Sequence, residues 1–232
     1  MENVIIPTPK ELRDLLLPQL KVGGWYDHVR LYINSSAFLK VLEVLINEIQ
    51  DGYRVTPMFK HLFSAFANCP YDQTKVVIHT HMLPEYALHC DGMAFSRSLT
   101  KRPDTTLKYI FDELKRDNPK HKGVCNLKPW AEQGVLLLSS AFTTNIGIKN
   151  AHLELWKPLQ NELFDIFKHN MQEVVFVFVG KEVWHRADNL HSGSTVILFG
   201  EPTANFPKPW NSNAFKVINE TLTVKGKEII KW

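Results

Sequence analysis

The sequence predicts an α/β fold of three layers, α/β/α, around a central four-stranded parallel sheet. Three observations lead there. Four short apolar runs, at 75–78 (KVVI), 135–138 (VLLL), 174–179 (VVFVFV) and 195–199 (TVILF), are separated by stretches of helical periodicity, and strands that alternate with helices form a parallel sheet covered on both faces. The runs are apolar throughout rather than alternating, as strands buried on both sides are. The chain has 232 residues, 44% of them hydrophobic, with no repeat, low-complexity tract or Gly/Ser-rich linker, which predicts one domain over 1–232.

Taken in order, residues 36–51 (SAFLKVLEVLINEIQD) place Phe38, Leu39, Leu42, Leu45, Ile46 and Ile49 at the spacing of one helix face. Ser36 is the expected N-cap. The run at 75–78 follows turn residues and leads into an irregular loop. Helical patterns then cover 104–116 (DTTLKYIFDELKR) and 153–169 (LELWKPLQNELFDIFKH), with a short piece after Gly180. In open parallel sheets the site lies beyond the carboxyl ends of the strands. That rule selects the segments 79–96, 139–150, 180–186 and 200–214.

A formal charge of +3 and a pI near 8.7 are compatible with a groove that faces phosphate. Three cysteines, Cys69, Cys90 and Cys125, form neither a paired framework nor a CxxC. This suits a reducing compartment and falls short of the four thiolates of an iron–sulfur cluster. No apolar run approaches the ~20 residues of a membrane span, and the first residues of the sequence lack a basic stretch followed by an apolar one, so no export leader is expected. A cytoplasmic protein is expected. His79, His81, His89 and Cys90 offer nitrogen and sulfur ligands, but their spacing is that of no zinc signature. The expectation is no metal and no cofactor.

The strand-end segments carry a resemblance. VVIHTHMLPEYALHCDGMAFS (76–96) aligns without a gap to the strand and water-activating motif GQDPYHGPGQAHGLAFS of family 1 uracil-DNA glycosylases. RPDTTLKYIFDEL (102–114) resembles that family's proline-rich loop and helix, PPPSLxNIYKEL. NLKPWAEQGVLLLSSAFT (126–143) resembles DLSGWAKQGVLLLNAVLT, and FKVINETLTVKGKEIIKW (215–232) resembles the closing helix and GKxPIxW. The framework is that of the uracil-DNA glycosylase superfamily; the chemical positions differ. Met82 stands at the aspartate of DPYH, Pro84 at the tyrosine that excludes thymine, and Glu85 at the histidine. Ser139 replaces the asparagine of LLLN that reads uracil's edge, and Glu201 the histidine of HPSPLS. Phe95 of GLAFS and Pro202 are kept.

What the resemblance implies is a pocket for a flipped nucleotide in a basic groove on DNA. Phe95 would stack on the base and Ser139 would face its edge with a single hydroxyl. Pro84 leaves open the space that a tyrosine would fill against C5, so a C5-substituted pyrimidine, hydroxymethylated or glucosylated, is expected in place of uracil. Glu85 and Glu201 are the candidate electrostatic partner and acid, with His81 near the base or sugar. Thr106 and Thr203 keep hydroxyls for phosphate. Asn205 falls at the family's wedge position, next to Phe206, and Lys208 adds charge beside Lys101, Arg102 and Lys149. The expected activity is that of a monofunctional, monomeric DNA glycosylase that leaves an abasic site, in repair or in defence against viruses with modified DNA. Two alternatives stand beside it: a catalytically silent relative that binds DNA or a replication partner, and a uracil glycosylase with relocated groups.

Overall fold

The computed structural model describes residues 7–81, 90–100, 102–202 and 213–232. Helix α1 (Pro9–Val22) starts in a capping box. Thr8 accepts from Glu11 N while the Glu11 carboxylate accepts from Thr8 N. Pro9 at the first helical position costs no hydrogen bond, because that N–H has no partner within a helix. Leu12, Leu16 and Leu20 form the buried stripe. Helix α2 (Tyr26–Ile33) follows, and Trp25 between the two is fully buried, its indole N–H donating to the Cys69 carbonyl at 2.8 Å.

Helix α3 (Ser36–Gln50) matches the expected helix, with two corrections. Its N-cap is Ser35, whose Oγ accepts from Phe38 N at 3.3 Å; Ser36 is already inside the helix. Its buried face is Phe38, Val41, Leu42, Leu45 and Ile46, while Ile49 is 39% exposed in the last turn. Strand β1 (Val55–Thr56) and the short helix α4 (Ser64–Asn68) lead to strand β2 (Val76–Thr80). Helix α5 (Thr105–Asp117), capped by Asp104, helix α6 (Lys128–Ala131), strand β3 (Val135–Ser139) and strand β4 (Thr144–Asn145) come next. Helix α7 (Leu153–Asn170), strand β5 (Val175–Val179), a 3-10 helix (Lys181–Asn189), strand β6 (Thr195–Phe199) and helix α8 (Ala214–Val224) complete the order.

The sheet runs β3-β2-β5-β6 and every pair is parallel, with Val76 opposite both Val135 and Val175, and Val175 opposite Thr195. Side chains alternate across its faces. Ile78, Val177 and Val179 face Ile110 of α5 and Phe215 and Ile218 of α8. His79, Phe176 and Phe178 face Phe164 and Phe167 of α7. The result is the predicted three-layer α/β/α arrangement. One expectation fails at its margin: β6 is an edge strand, half-buried along most of its length, with Leu198 45% exposed.

The segment after β3 is fastened twice. Strand β4 pairs antiparallel with β1. His152, 2% exposed, bridges Thr143 Oγ1 and Glu48 Oε2, each at 2.8 Å, and the Trp156 indole donates to the same Thr143 oxygen at 2.7 Å. Few rotamers satisfy all four groups, so the backbone beyond Ser139 is held to α3 and α7.

Candidate active site

The carboxyl ends of the four parallel strands, Thr80, Ser139, Val179 and Phe199, open on one edge of the sheet. Residues 90–98 fold over that edge around Asp91, which is 2% exposed. One carboxylate oxygen accepts from Met93 N at 3.3 Å. The other accepts from Ser96 Oγ at 2.6 Å and Ser98 N at 2.9 Å, and Ser96 Oγ in turn accepts from Leu127 N at 3.1 Å. Gly92 (φ +80°) lies so close to the His61 carbonyl that a Cβ would fall 1.7 Å from its oxygen. Ala94 N donates to the Leu137 carbonyl at 3.1 Å, which seats the loop on β3. Phe95 is held at φ +64°, a left-handed conformation rare for an aromatic residue. Strain of this kind persists where surrounding contacts over-determine it, and it recurs at ligand sites.

Phe95 and Ser139 line one small pocket, together with Cys90, Met93, Arg97, Leu138 and Phe142. Behind Ser139 runs a buried polar chain. Gln160 Nε2 donates to the Ser139 carbonyl at 2.9 Å, and Gln160 Oε1 meets His79 Nε2 at 3.2 Å. Because the amide nitrogen is committed to a carbonyl, the amide oxygen accepts, so His79 carries its proton on Nε2. Burial is the main cause that pushes the His79 imidazole down to about 3; the Gln160 bond opposes it, and Arg186, His81 and His185 add to it. The ring is neutral, and its Nδ1 has no partner among the described residues.

At the far strands, Gly180 (φ +101°) marks the exit from β5, and its N–H donates to the Phe199 carbonyl at 2.9 Å. Glu201 and Glu182 converge on this glycine. A Cβ placed there would stand 3.0 Å from Glu201 Oε1 and 3.3 Å from Glu182 Oε2. The two carboxylates therefore lie within the sum of those distances of one another. Burial first, then the Glu182 charge, raise the Glu201 carboxyl above its ordinary range, while Lys149 pulls it down. Beside them a wholly apolar cavity is walled by Val179, Phe199, Pro202 and Phe215, and Phe95 separates it from the first.

Of the residues selected from sequence, Phe95 and Ser139 are thus brought together, and Glu201 stands on the same sheet edge. His81 follows β2 directly and is half-buried. Thr106 is half-buried in the first turn of α5, and Arg102 and Lys149 are exposed. Met82, Pro84, Glu85, His89, Lys101, Thr203, Asn205, Phe206 and Lys208 lie outside the described residues. Among the described residues no group of three His, Cys, Asp or Glu side chains is placed to hold a metal ion, and no helix is long and apolar enough to cross a membrane. Four residues of the site were not selected from sequence: Asp91, Arg97, Gln160 and Glu182. Arg97 carried a signal, a full charge immediately after the apolar MAFS stretch. Gln160 carried a weaker one, an amide on a helix face that is otherwise Trp156, Leu159, Leu163 and Phe164.

No family model matches the chain. The uracil-DNA glycosylase of Lactococcus lactis subsp. lactis is 30% identical over 224 residues, which cover 92% of this chain and 99% of that protein. The uracil-DNA glycosylase of Mesomycoplasma hyopneumoniae is 31% identical over 206 residues, 86% of this chain and 93% of its own. Among solved structures, mimivirus uracil-DNA glycosylase shares the fold with a TM-score of 0.81 at 22% identity, over 95% of this chain and 88% of that one.

Proposed function

The chain belongs to the uracil-DNA glycosylase family, and from that premise we propose that it is a monofunctional DNA N-glycosylase whose substrate is a C5-substituted pyrimidine rather than uracil. The observation that carries the reading is the shared cavity of Phe95 and Ser139 at the carboxyl edge of the sheet. An aromatic face and a strand-end hydroxyl meet there as a flipped base requires. A serine hydroxyl cannot present the fixed donor and acceptor pair of an amide, so discrimination for uracil's own edge is weak. Pro84, at the position of the family's tyrosine, would leave room at C5.

The reaction breaks the bond between the sugar C1′ and the base nitrogen. The electron pair leaves with the base, positive charge spreads over C1′ and the ring oxygen, and water adds at C1′ to leave an abasic site. Glu201 would deliver a proton to the departing base. Its raised affinity for protons suits this role, since an ionised carboxylate would repel a leaving anion. Glu85 would stabilise the cationic sugar, with His81 beside it. Thr106 and Thr203 would bind backbone phosphate, Asn205 or Phe206 would fill the vacated stack, and Lys208 would contribute to salt-dependent affinity. Removal of such bases serves repair or defence against viruses with modified DNA. We place the protein on DNA as a monomer in the cytoplasm, with no cofactor.

The test is a panel of duplexes, each carrying one modified pyrimidine, assayed for alkali-labile abasic sites. Excision of a C5-substituted base is expected, abolished by Pro84→Tyr and lowered ~10²-fold or more by Glu201→Gln or Glu85→Gln. DNA binding is expected to survive all three changes and to fall steeply with salt. Exchange of the family's aspartate for Met82 and of its histidine for Glu201 favours one other reading, a silent DNA-binding relative. A wild-type protein that binds DNA and excises no base in the panel establishes that reading instead.

A further inference from the structure

We infer that Arg97 is a specificity residue of the base cavity, selecting pyrimidines whose 5-substituent carries oxygen acceptors over those that bear hydrogen or methyl. The inference rests on the proposed base pocket and names the chemistry of its substituent.

Arg97 lies two residues beyond Phe95 and lines the same cavity as Phe95 and Ser139. Its partners are few for a buried charge. Nε donates to one oxygen of Asp104 at 3.0 Å, Nη2 lies 2.9 Å from the same oxygen as an ion pair, and Nη1 donates to the Ser96 carbonyl at 2.6 Å. A guanidinium has five N–H groups in a fixed planar fork. Two of them donate, and each terminal nitrogen keeps at least one N–H for which no partner is seen among the described residues. Paired donors on the two terminal nitrogens are the arrangement with which arginine takes a carboxylate or two oxygens end-on.

The ion pair is lopsided: the Arg97 side chain is 7% exposed and that of Asp104 34%. Asp104 faces outward, and its second oxygen caps α5 through Leu107 N at 2.9 Å. Fastening the start of α5 would need only an exposed cation, whereas this one is drawn inward at a desolvation cost that a single half-exposed carboxylate offsets poorly. An oxygen-bearing substituent entering the cavity would complete its hydrogen bonds. A methyl group would leave them incomplete, and sites with unmet buried donors reject such analogues strongly. The backbone holds the guanidinium in place, since Arg97 N donates to the Cys125 carbonyl at 2.7 Å and Arg97 O accepts from Thr100 N at 3.2 Å.

The experiment measures equilibrium binding to duplexes with one 2′-fluorinated cytidine, whose electron-poor sugar resists excision, carrying hydrogen, methyl, hydroxymethyl, formyl or carboxyl at C5. For the wild type, carboxyl and formyl should bind about tenfold or more tighter than methyl. Arg97→Lys keeps the charge and a partner for Asp104 but lacks the planar fork; it should level the ranking, so that carboxyl and formyl lose their advantage over methyl in the same protein, and its melting temperature reports whether the fold is kept. If Arg97→Lys does not fold, the joint exchange Arg97→Gln with Asp104→Asn, which removes both charges together, gives the same readout. A level ranking in the wild type overturns the inference without any variant, as does a ranking that survives loss of the guanidinium. Excision assayed in parallel on unfluorinated duplexes separates the two claims. Ranked binding without excision sinks the glycosylase reading alone, and excision with level binding sinks the role of Arg97 alone.

Discussion

At position 201 a single side chain is pulled in two directions. Burial and the neighbouring Glu182 favour the neutral acid, and Lys149 favours the carboxylate. If the neutral form is the proton donor, excision holds at low pH and declines as pH rises through the raised pKa of Glu201. Glu182→Gln removes one raising influence and should shift the decline to lower pH; Lys149→Met removes the lowering one and should shift it to higher pH. Rate profiles of the three proteins check this, and a decline that stays in place in both variants rules out Glu201 as the titrating group. The sequence showed this site unevenly. Phe95 and Ser139 were legible because each sits at a fixed place in a contiguous motif beside a strand end. Asp91 and Gln160 were not, since their importance comes from partners the chain brings to them only on folding: Leu127 N reaches the Asp91 cluster through Ser96, and Gln160 joins His79 to Ser139.

Elements were readable where their periodicity was long and misjudged at their ends. In α3 the apolar spacing located the helix, but the cap expected at Ser36 falls one residue earlier, at Ser35. Ser35→Ala should cost about 1 kcal/mol, as loss of a capping hydroxyl does, while Ser36→Ala should change stability by no more than a few tenths. Urea denaturation of both variants checks the assignment, and equal losses would refute it. Ile49 fits the same spacing but emerges in the last turn, 39% exposed, while Val41, which the spacing did not select, is buried. Helices α1 and α2 went unread although Thr8 and Glu11 stand in capping-box spacing, because their buried stripe is shorter and more polar residues interrupt it. Strand β6 was identified by its β-branched run, but a run of that kind cannot show whether a second neighbour lies alongside.

Across the whole molecule the topology was the most legible property, since strands separated by helices leave few ways to close a parallel sheet. The composition of the site was less so, because a framework shared at about 30% identity does not reveal which buried polar groups the chain brings together on folding. The sheet order also bears on how the protein comes to exist. Val76 must find Val135 on one side and Val175 on the other before the cavity has walls, and non-local pairing of this kind makes folding slow. No fragment of the chain carries the site, so occupancy and global stability are thermodynamically linked. A duplex present at about a hundred times its dissociation constant should stabilise the folded state by about 2.7 kcal/mol. That gain should appear as slower hydrogen exchange at the amides of β2 and β5, in the middle of the sheet. Protection confined to the residues around Phe95 would mean that the site opens independently of the sheet. In a cell, the protein would then resist proteolysis longest while it is bound to DNA.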